Sequence, residues 1–296
     1  MTLEAFSAPA CMPPFDRDEA FSRNIGWLTR QEQDALRHKR VAIAGLGGVG
    51  GVHLLTLCRL GIGQFHLADF DRFDLANFNR QAGATVSTLG QAKLDVMTRQ
   101  ALDINPGLAI TCFADGVTKD NLDAFLDGVD LYVDGLDFFA FEARQMVFSA
   151  CAARGIPAVT AAPLGMGAAV LNFLPGGMSF DDYFCLEDAS EAEKPLRFLM
   201  GLAPAHLQMG YLADPSAVDF NKRKGPSTIM ACQLCAGVAA TEALKILLGR
   251  GPLRAAPKGY HFDAYCNKLA LTWRPGGNRN PLQRLLIALA KRKLGI

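Results

Sequence analysis

Directly after the apolar run "VAIA" (41–44) the chain places five glycines in seven positions, "GLGGVGG" (45–51). This stretch constrains the fold more than any other. An apolar strand that breaks into a glycine-rich turn and then enters a helix is the opening of a βαβ unit. Gly45, Gly47 and Gly50 stand at G-x-G-x-x-G spacing, with Gly48 inside the motif. Glycine is needed there because the backbone has to turn sharply and approach a phosphate with no Cβ in the way. The following helix presents free N–H groups to an anion, and Asp69, at the end of the next strand, is placed to accept hydrogen bonds from ribose hydroxyls. The loop therefore predicts a bound nucleotide without choosing between NAD and ATP. The lysine of a P-loop is absent, which disfavours that class.

The pattern from Arg40 to Gly165 alternates strand and helix. Strands are expected at 41–45, at "GIGQFHLADFD", "NPGLAITCFAD", "VDLYVDGLD" and "IPAVTAAPLG", with helices at 49–60, 91–102, "NLDAFLDG" and 141–154. This predicts an α/β fold with a Rossmann-like, doubly wound, mostly parallel sheet. A strand "GAAVLNFLP", an irregular crossover over 175–227 with a helical piece near 195–209, a helix ended by Gly249 and two late strands predict a mixed or antiparallel C-terminal extension. Residues 1–20 read as a loose arm with order beginning at Phe21, 21–277 as one nucleotide-binding domain, and 278–296 as an amphipathic helix. Thr29, three residues before Glu32, predicts a capping box.

A net charge of +1 gives no global electrostatic basis for binding nucleic acid or an anionic membrane. The N-terminus carries acids and prolines where a signal peptide needs an apolar core, and no uninterrupted apolar run approaches a bilayer span, so a cytoplasmic location is expected. The eight cysteines are scattered and read as mainly reduced core thiols.

The polar segment "ADFDRFDLANFNRQ" (68–81), with "GQAK" (90–93), "INP" (104–106) and "DGLD" (134–137), resembles the ThiF/MoeB and ubiquitin-activating adenylyltransferase family. That family carries a G-x-G-G-x-G loop, D-x-D, N-x-x-R-Q, G-x-x-K and a later D-x-x-D in this order. The resemblance implies ATP and Mg²⁺ as cofactors and assigns roles. Asp69 would hold the ribose. Asn77, Arg80 and Gln81 would contact the triphosphate or order the loop beside it, and Lys93 would neutralise phosphate charge. Asp137 would be the Mg²⁺ ligand, with Asp71 and Asp134 as supporting acids. "FSRNIG" (21–26) resembles the segment that sends an arginine, here Arg23, into the partner subunit's site, which implies a homodimer.

Three departures bear on function. The paired C-x-x-C motifs of zinc-containing relatives are missing; Cys232 and Cys235 lie in an Ala/Leu-rich helix, and no zinc site is expected. The crossover segment "NKRK" (221–224) has no cysteine where thioester-forming relatives carry one. Cys185 is flanked by acids that raise its pKa, so adenylation without an enzyme thioester is expected. Phe138 replaces the asparagine that usually follows the second acid of D-x-x-D, and Arg144 comes later than the common spacing, so the pocket for the acceptor differs.

The acceptor carboxylate is left open between the C-terminal glycine of a ubiquitin-like carrier, a peptide and a small acid. An NAD-dependent oxidoreductase and an inactive nucleotide-binding partner module are the competing readings. "SFDDYF" (179–184) reads either as a substrate-reading loop or as a surface turn. In the tail, Leu282, Leu285, Leu286 and Leu289 form one apolar stripe, expected to dock on the domain body or a dimer partner rather than on a membrane.

Overall fold

A computed structural model describes residues 14–294, apart from 221 and 224. Its strands are β1 (Arg40–Ala44), β2 (Gln64–Ala68), β3 (Ala109–Phe113), β4 (Leu131–Asp134), β5 (Ala158–Leu164), β6 (Gly167–Phe173), β7 (Lys258–Asp263) and β8 (Lys268–Trp273). The helices are α1 (Arg17–Ala20), α2 (Arg30–Arg37), α3 (Gly50–Leu60), α4 (Lys93–Ile104), α5 (Leu122–Leu126), α6 (Phe141–Arg154), α7 (Phe180–Phe184), α8 (Lys194–Leu202), α9 (Ile229–Leu248) and α10 (Pro281–Leu294). The strands form one sheet in the order β3-β2-β1-β4-β5-β6-β7-β8. Pairing is parallel from β3 to β5 and antiparallel from β5 to β8. The mostly parallel Rossmann-like sheet and its antiparallel extension agree with the sequence reading.

Strand alternation sorts the core into two layers. Val41, Ile43, Leu131 and Val133 face one side with Leu36, Leu54, Met97 and Ala239. Ala42, Ala44 and Tyr132 face the other with Phe125, Phe148, Phe180 and Phe198. Burial on both faces explains why these strands read as continuous apolar runs. The chain leaves β1 toward β2 on one side and returns to β4 on the other, so the carboxyl ends of β1 and β4 flank a topological switch point, where open α/β sheets form their crevice.

Several local expectations are corrected. The end of the N-terminal arm is ordered: Arg17 in α1 donates to the carbonyls of Gln33 and Gly61. Residues 1–13 of that arm lie outside the described residues. The "SFDDYF" stretch is neither a reading loop nor a surface turn. It is α7, capped by Ser179, with Phe180, Tyr183 and Phe184 in the core and Asp181 accepting a hydrogen bond from Ser149. Of the cysteines, Cys112 and Cys266 are exposed; each sits toward a sheet margin rather than in a packed layer.

The tail helix α10 also turns a different side inward. Leu286, Ile287 and Ala290 pack on Leu196 and Met200 of α8, and buried Gln283 donates to the Met200 carbonyl. Leu282, Leu285 and Leu289 stay more than half exposed. By length and hydropathy alone α9 is long and apolar enough to cross a membrane, yet its inner side, including Cys232, Cys235, Ala239 and Ala243, is packed against the rest of the fold.

Candidate functional site

The switch point is built by backbone proximity. A Cβ at Gly45 would lie 2.4 Å from the Gly135 carbonyl oxygen, and one at Gly50 would lie 1.7 Å from the Gly45 oxygen. Gly45 is demanded by the approach of the β4 loop, and Gly50 by the tight return of the glycine loop on itself. Gly47 differs, since the nearest atom to its Cβ position is the Gln81 amide nitrogen at 3.7 Å. Internal packing does not require glycine there.

Asp69 fastens this loop. Its Oδ2 accepts from the Leu46 N–H at 2.6 Å and its Oδ1 from the Asp71 N–H at 2.7 Å. Desolvation pushes its pKa up, opposed by those two hydrogen bonds and by Lys93. The resemblance made Asp69 a ribose acceptor; both its oxygens are already engaged with backbone, so its visible work is to order the loop. Asp71 carries the exposed carboxylate and pairs with Lys93 Nζ at 2.9 Å. Lys93 is the first residue of α4, with a side chain only 7% exposed, so its ammonium is held at the site by burial of its stem.

The 74–81 segment closes the side of the loop. Asn77 Oδ1 accepts from the Asp74 N–H, which makes Asn77 a loop-ordering residue in this structure. Arg80 lies alongside Gly48, its Cγ 3.6 Å from the Cβ position there, and its guanidinium donates to Ala76 O and to Asn79. Gln81 is buried beside Gly47, its Oε1 lacking a partner among the described residues. Asn79 ties this segment to the Ser227 carbonyl just before α9.

On the β4 side, Asp137 is exposed, and its Oδ1 accepts from the Phe139 N–H at 3.0 Å. Asp134 is buried and pairs with buried Arg144 at 2.9 Å. Beneath the glycine loop lies a group the sequence reading missed. His53 of α3 is 1% exposed with neither ring nitrogen partnered among the described residues, and burial lowers its pKa to about 4. A histidine inside an otherwise apolar helix carries no sequence signal of such a position.

Gly45, Gly47, Gly48, Gly50, Asp69, Asp71, Asn77, Arg80, Gln81, Lys93 and Asp137 are thus gathered at one end of the sheet. Arg23 is not. The neighbouring Asn24 donates to the carbonyls of Arg59 and Leu60, at the far end of α3; that helix has 11 residues and is about 16 Å long. Among the described residues no group of three or more His, Cys, Asp or Glu side chains is arranged to hold a metal ion. Cys185 is buried, and desolvation raises its thiol pKa. In the "NKRK" segment, 221 and 224 lie outside the described residues.

A glycine loop, an ordered N-x-x-R-Q segment, a helix-start lysine and a D-x-x-D loop converge on one crevice, and the ThiF family model matches residues 21–284. The chain belongs to the ThiF family. It is 36% identical to the tRNA threonylcarbamoyladenosine dehydratase of Bacillus subtilis over 107 residues, covering 36% of this chain and 42% of that protein. It is also 36% identical to ubiquitin-like modifier-activating enzyme 5 of Drosophila persimilis over 146 residues, covering 46% and 38%. The chain therefore matches less than half the length of these relatives. Among solved structures, PaaA superimposes with a TM-score of 0.65 at 18% identity, covering 92% of this chain and 77% of PaaA. E. coli MccB with ATP gives 0.60 at 20%, covering 81% and 65%. These likenesses, all under 25% identity, bear on the fold.

Proposed function

We propose that this ThiF-family chain is an ATP-dependent adenylyltransferase. An acceptor carboxylate attacks the α-phosphorus of ATP, the bond to the β-phosphate's bridging oxygen breaks, pyrophosphate leaves and an acyl-adenylate forms. The observation that carries the reading is the convergence of Lys93, Arg80 and the Gly47–Gly48 backbone beside one crevice with the exposed carboxylate of Asp137 across it. Two cations beside the N–H groups of the loop suit a triphosphate better than the diphosphate of NAD. The protein's contribution is positioning and charge neutralisation.

Asp137 fits Mg²⁺ in the way that ion usually meets proteins, through one or two carboxylates together with phosphate oxygens and water. When bound, the ion would supply charge neutralisation at the phosphates. Asp71 gives Lys93 a partner in the absence of nucleotide. Arg23 would act from a second copy of the chain, because it lies far from its own crevice while Trp27 beside it is 86% exposed. No cysteine in the 221–224 segment and a buried Cys185 support a route without an enzyme thioester. The cell interior is the proposed location.

MccB has been solved with MccA and with ATP, and the relative in Drosophila is named for activating a ubiquitin-like modifier. A peptide or carrier C-terminus is therefore the proposed acceptor. A tRNA-borne substrate, suggested by the name of the dehydratase relatives, finds no global support in a net charge of +1. Thermal unfolding with nucleotides tests the reading. ATP with Mg²⁺ should raise Tm while NAD at the same concentration leaves it unchanged; stabilisation by NAD and none by ATP would refute it. ATP–pyrophosphate exchange across candidate acceptors then identifies the carboxylate.

A further inference from the structure

Arg144 does more than pair with Asp134. Its Nε donates to Asp134 Oδ2 at 2.9 Å, Nη1 to the Phe138 carbonyl at 3.3 Å, and Nη2 to the carbonyls of Leu136 at 2.8 Å and Asp137 at 2.9 Å. One guanidinium thus gathers three successive carbonyls. Arg144 lies in the first turns of α6, and helical side chains lean toward the helix N-terminus, which carries it under the loop. The Phe198 ring caps its face at 4.7 Å. At 2% exposure the group is closed to any ligand, so it is not the receptor of an acceptor carboxylate.

Drawing the three carbonyls inward curls residues 136–138 around the cation. The side chain of Asp137 is left exposed, with Oδ1 on the Phe139 N–H and Oδ2 without a hydrogen-bond partner among the described residues. We propose that Arg144 is the positioning residue for Asp137: it fixes the loop in the one setting that offers the carboxylate to a metal–nucleotide, without touching that ligand itself. This rests on the adenylyltransferase reading of the crevice. Lysine is no substitute, because a compact ammonium cannot span four acceptors as a planar fork does. A buried ion pair adds little net stability; here it holds a functional carboxylate in place.

The test is binding of a fluorescent ATP analogue to the full chain, in EDTA and in Mg²⁺. Wild type should bind about tenfold or more tightly with Mg²⁺. Arg144→Lys, folded by circular dichroism, should keep its Mg²⁺-free affinity within about twofold and lose most of the Mg²⁺-dependent tightening, as Asp137→Asn should. A purely structural role would shift both affinities together. If Arg144→Lys does not fold, Thr160→Val serves, since it removes only the hydroxyl that donates to the same Asp134 oxygen at 3.0 Å; its tightening should fall between the two. A folded Arg144→Lys, or Thr160→Val in its place, with wild-type tightening overturns the positioning role alone. Wild type that binds ATP with no Mg²⁺ dependence overturns the role of both Asp137 and Arg144 while leaving the ATP reading intact. Wild type that binds no ATP overturns the nucleotide reading itself.

Discussion

The loops after β2 and after β4 use the same parts in opposite ways. Each begins with a buried acid that accepts from the N–H two residues on: Asp69 from Asp71, and Asp134 from Leu136. Each then presents an exposed acid, Asp71 or Asp137. The difference lies in where the cation sits. After β2, Lys93 pairs with the exposed Asp71, so its charge stands at the crevice and can be shared with a ligand. After β4, Arg144 pairs with the buried Asp134, so its charge is consumed in holding backbone, and among the described residues no cationic side chain pairs with Asp137. One loop offers positive charge and the other negative. The proposed metal–nucleotide ligand would meet both.

Breaking the buried pair should have the largest effect. Arg144→Met leaves Asp134 as an uncompensated buried charge and should cost about 3–5 kcal/mol in urea unfolding; a loss below 1 kcal/mol would mean that the two loops do not differ as argued. His53 of α3, which senses the Asp134 charge, sharpens the comparison through pH. Its folded pKa of about 4 is below the ordinary histidine value of 6.5, so the unfolded state binds more protons between those values. The stability from keeping it neutral is complete above pH 6.5 and is lost as pH falls toward 4. That loss amounts to about 3 kcal/mol over the window, and His53→Gln should flatten the slope of unfolding free energy against pH by that amount. The residual slope includes His66, His206 and His261, whose pKa values are also lowered by burial, and Asp69, whose pKa burial raises.

Removing the shareable cation should act on ligand rather than fold. Lys93→Ala should weaken ATP binding by about 10- to 100-fold, the value of a charged hydrogen bond, measured by titration calorimetry on the folded variant. Unchanged affinity would remove Lys93 from the site. Asp71→Asn should have the smallest effect, within about 1 kcal/mol of wild-type stability, because the Asp71 side chain is half exposed. It frees the ammonium and should leave ATP affinity the same or tighter; a clear weakening would show that Asp71 contacts the nucleotide itself.

Most of the fold was legible because its signals are local. The strand–glycine–helix transition at 40–60, the Thr29–Glu32 capping box and the glycine stops of α3, α6 and α9 are all encoded by residues within a few positions of one another. The misread segments depended on distant partners. "SFDDYF" looked like surface because two acids interrupt its aromatics, yet α6 and the core receive the rings and Ser149 meets Asp181. The α10 stripe rests on the i, i+3, i+4, i+7 spacing of its leucines, whereas the body of the fold receives Leu286, Ile287 and Gln283 against α8.

The same division holds for the site. By itself the sequence determined that a glycine loop, two acidic loops and a helix-start lysine exist, and the succession along the chain of the strands that carry them, since periodicity and glycine requirements are properties of neighbours. Which acids are buried, which cation each one holds and whether Arg144 faces a ligand or a backbone were decided only by tertiary structure. The energy of a charge depends on its burial and on partners within a few ångströms, and beside the local N–H groups those partners include residues 10 and 26 positions away for Asp134, and 22 and 23 away for Asp71 and Asp69.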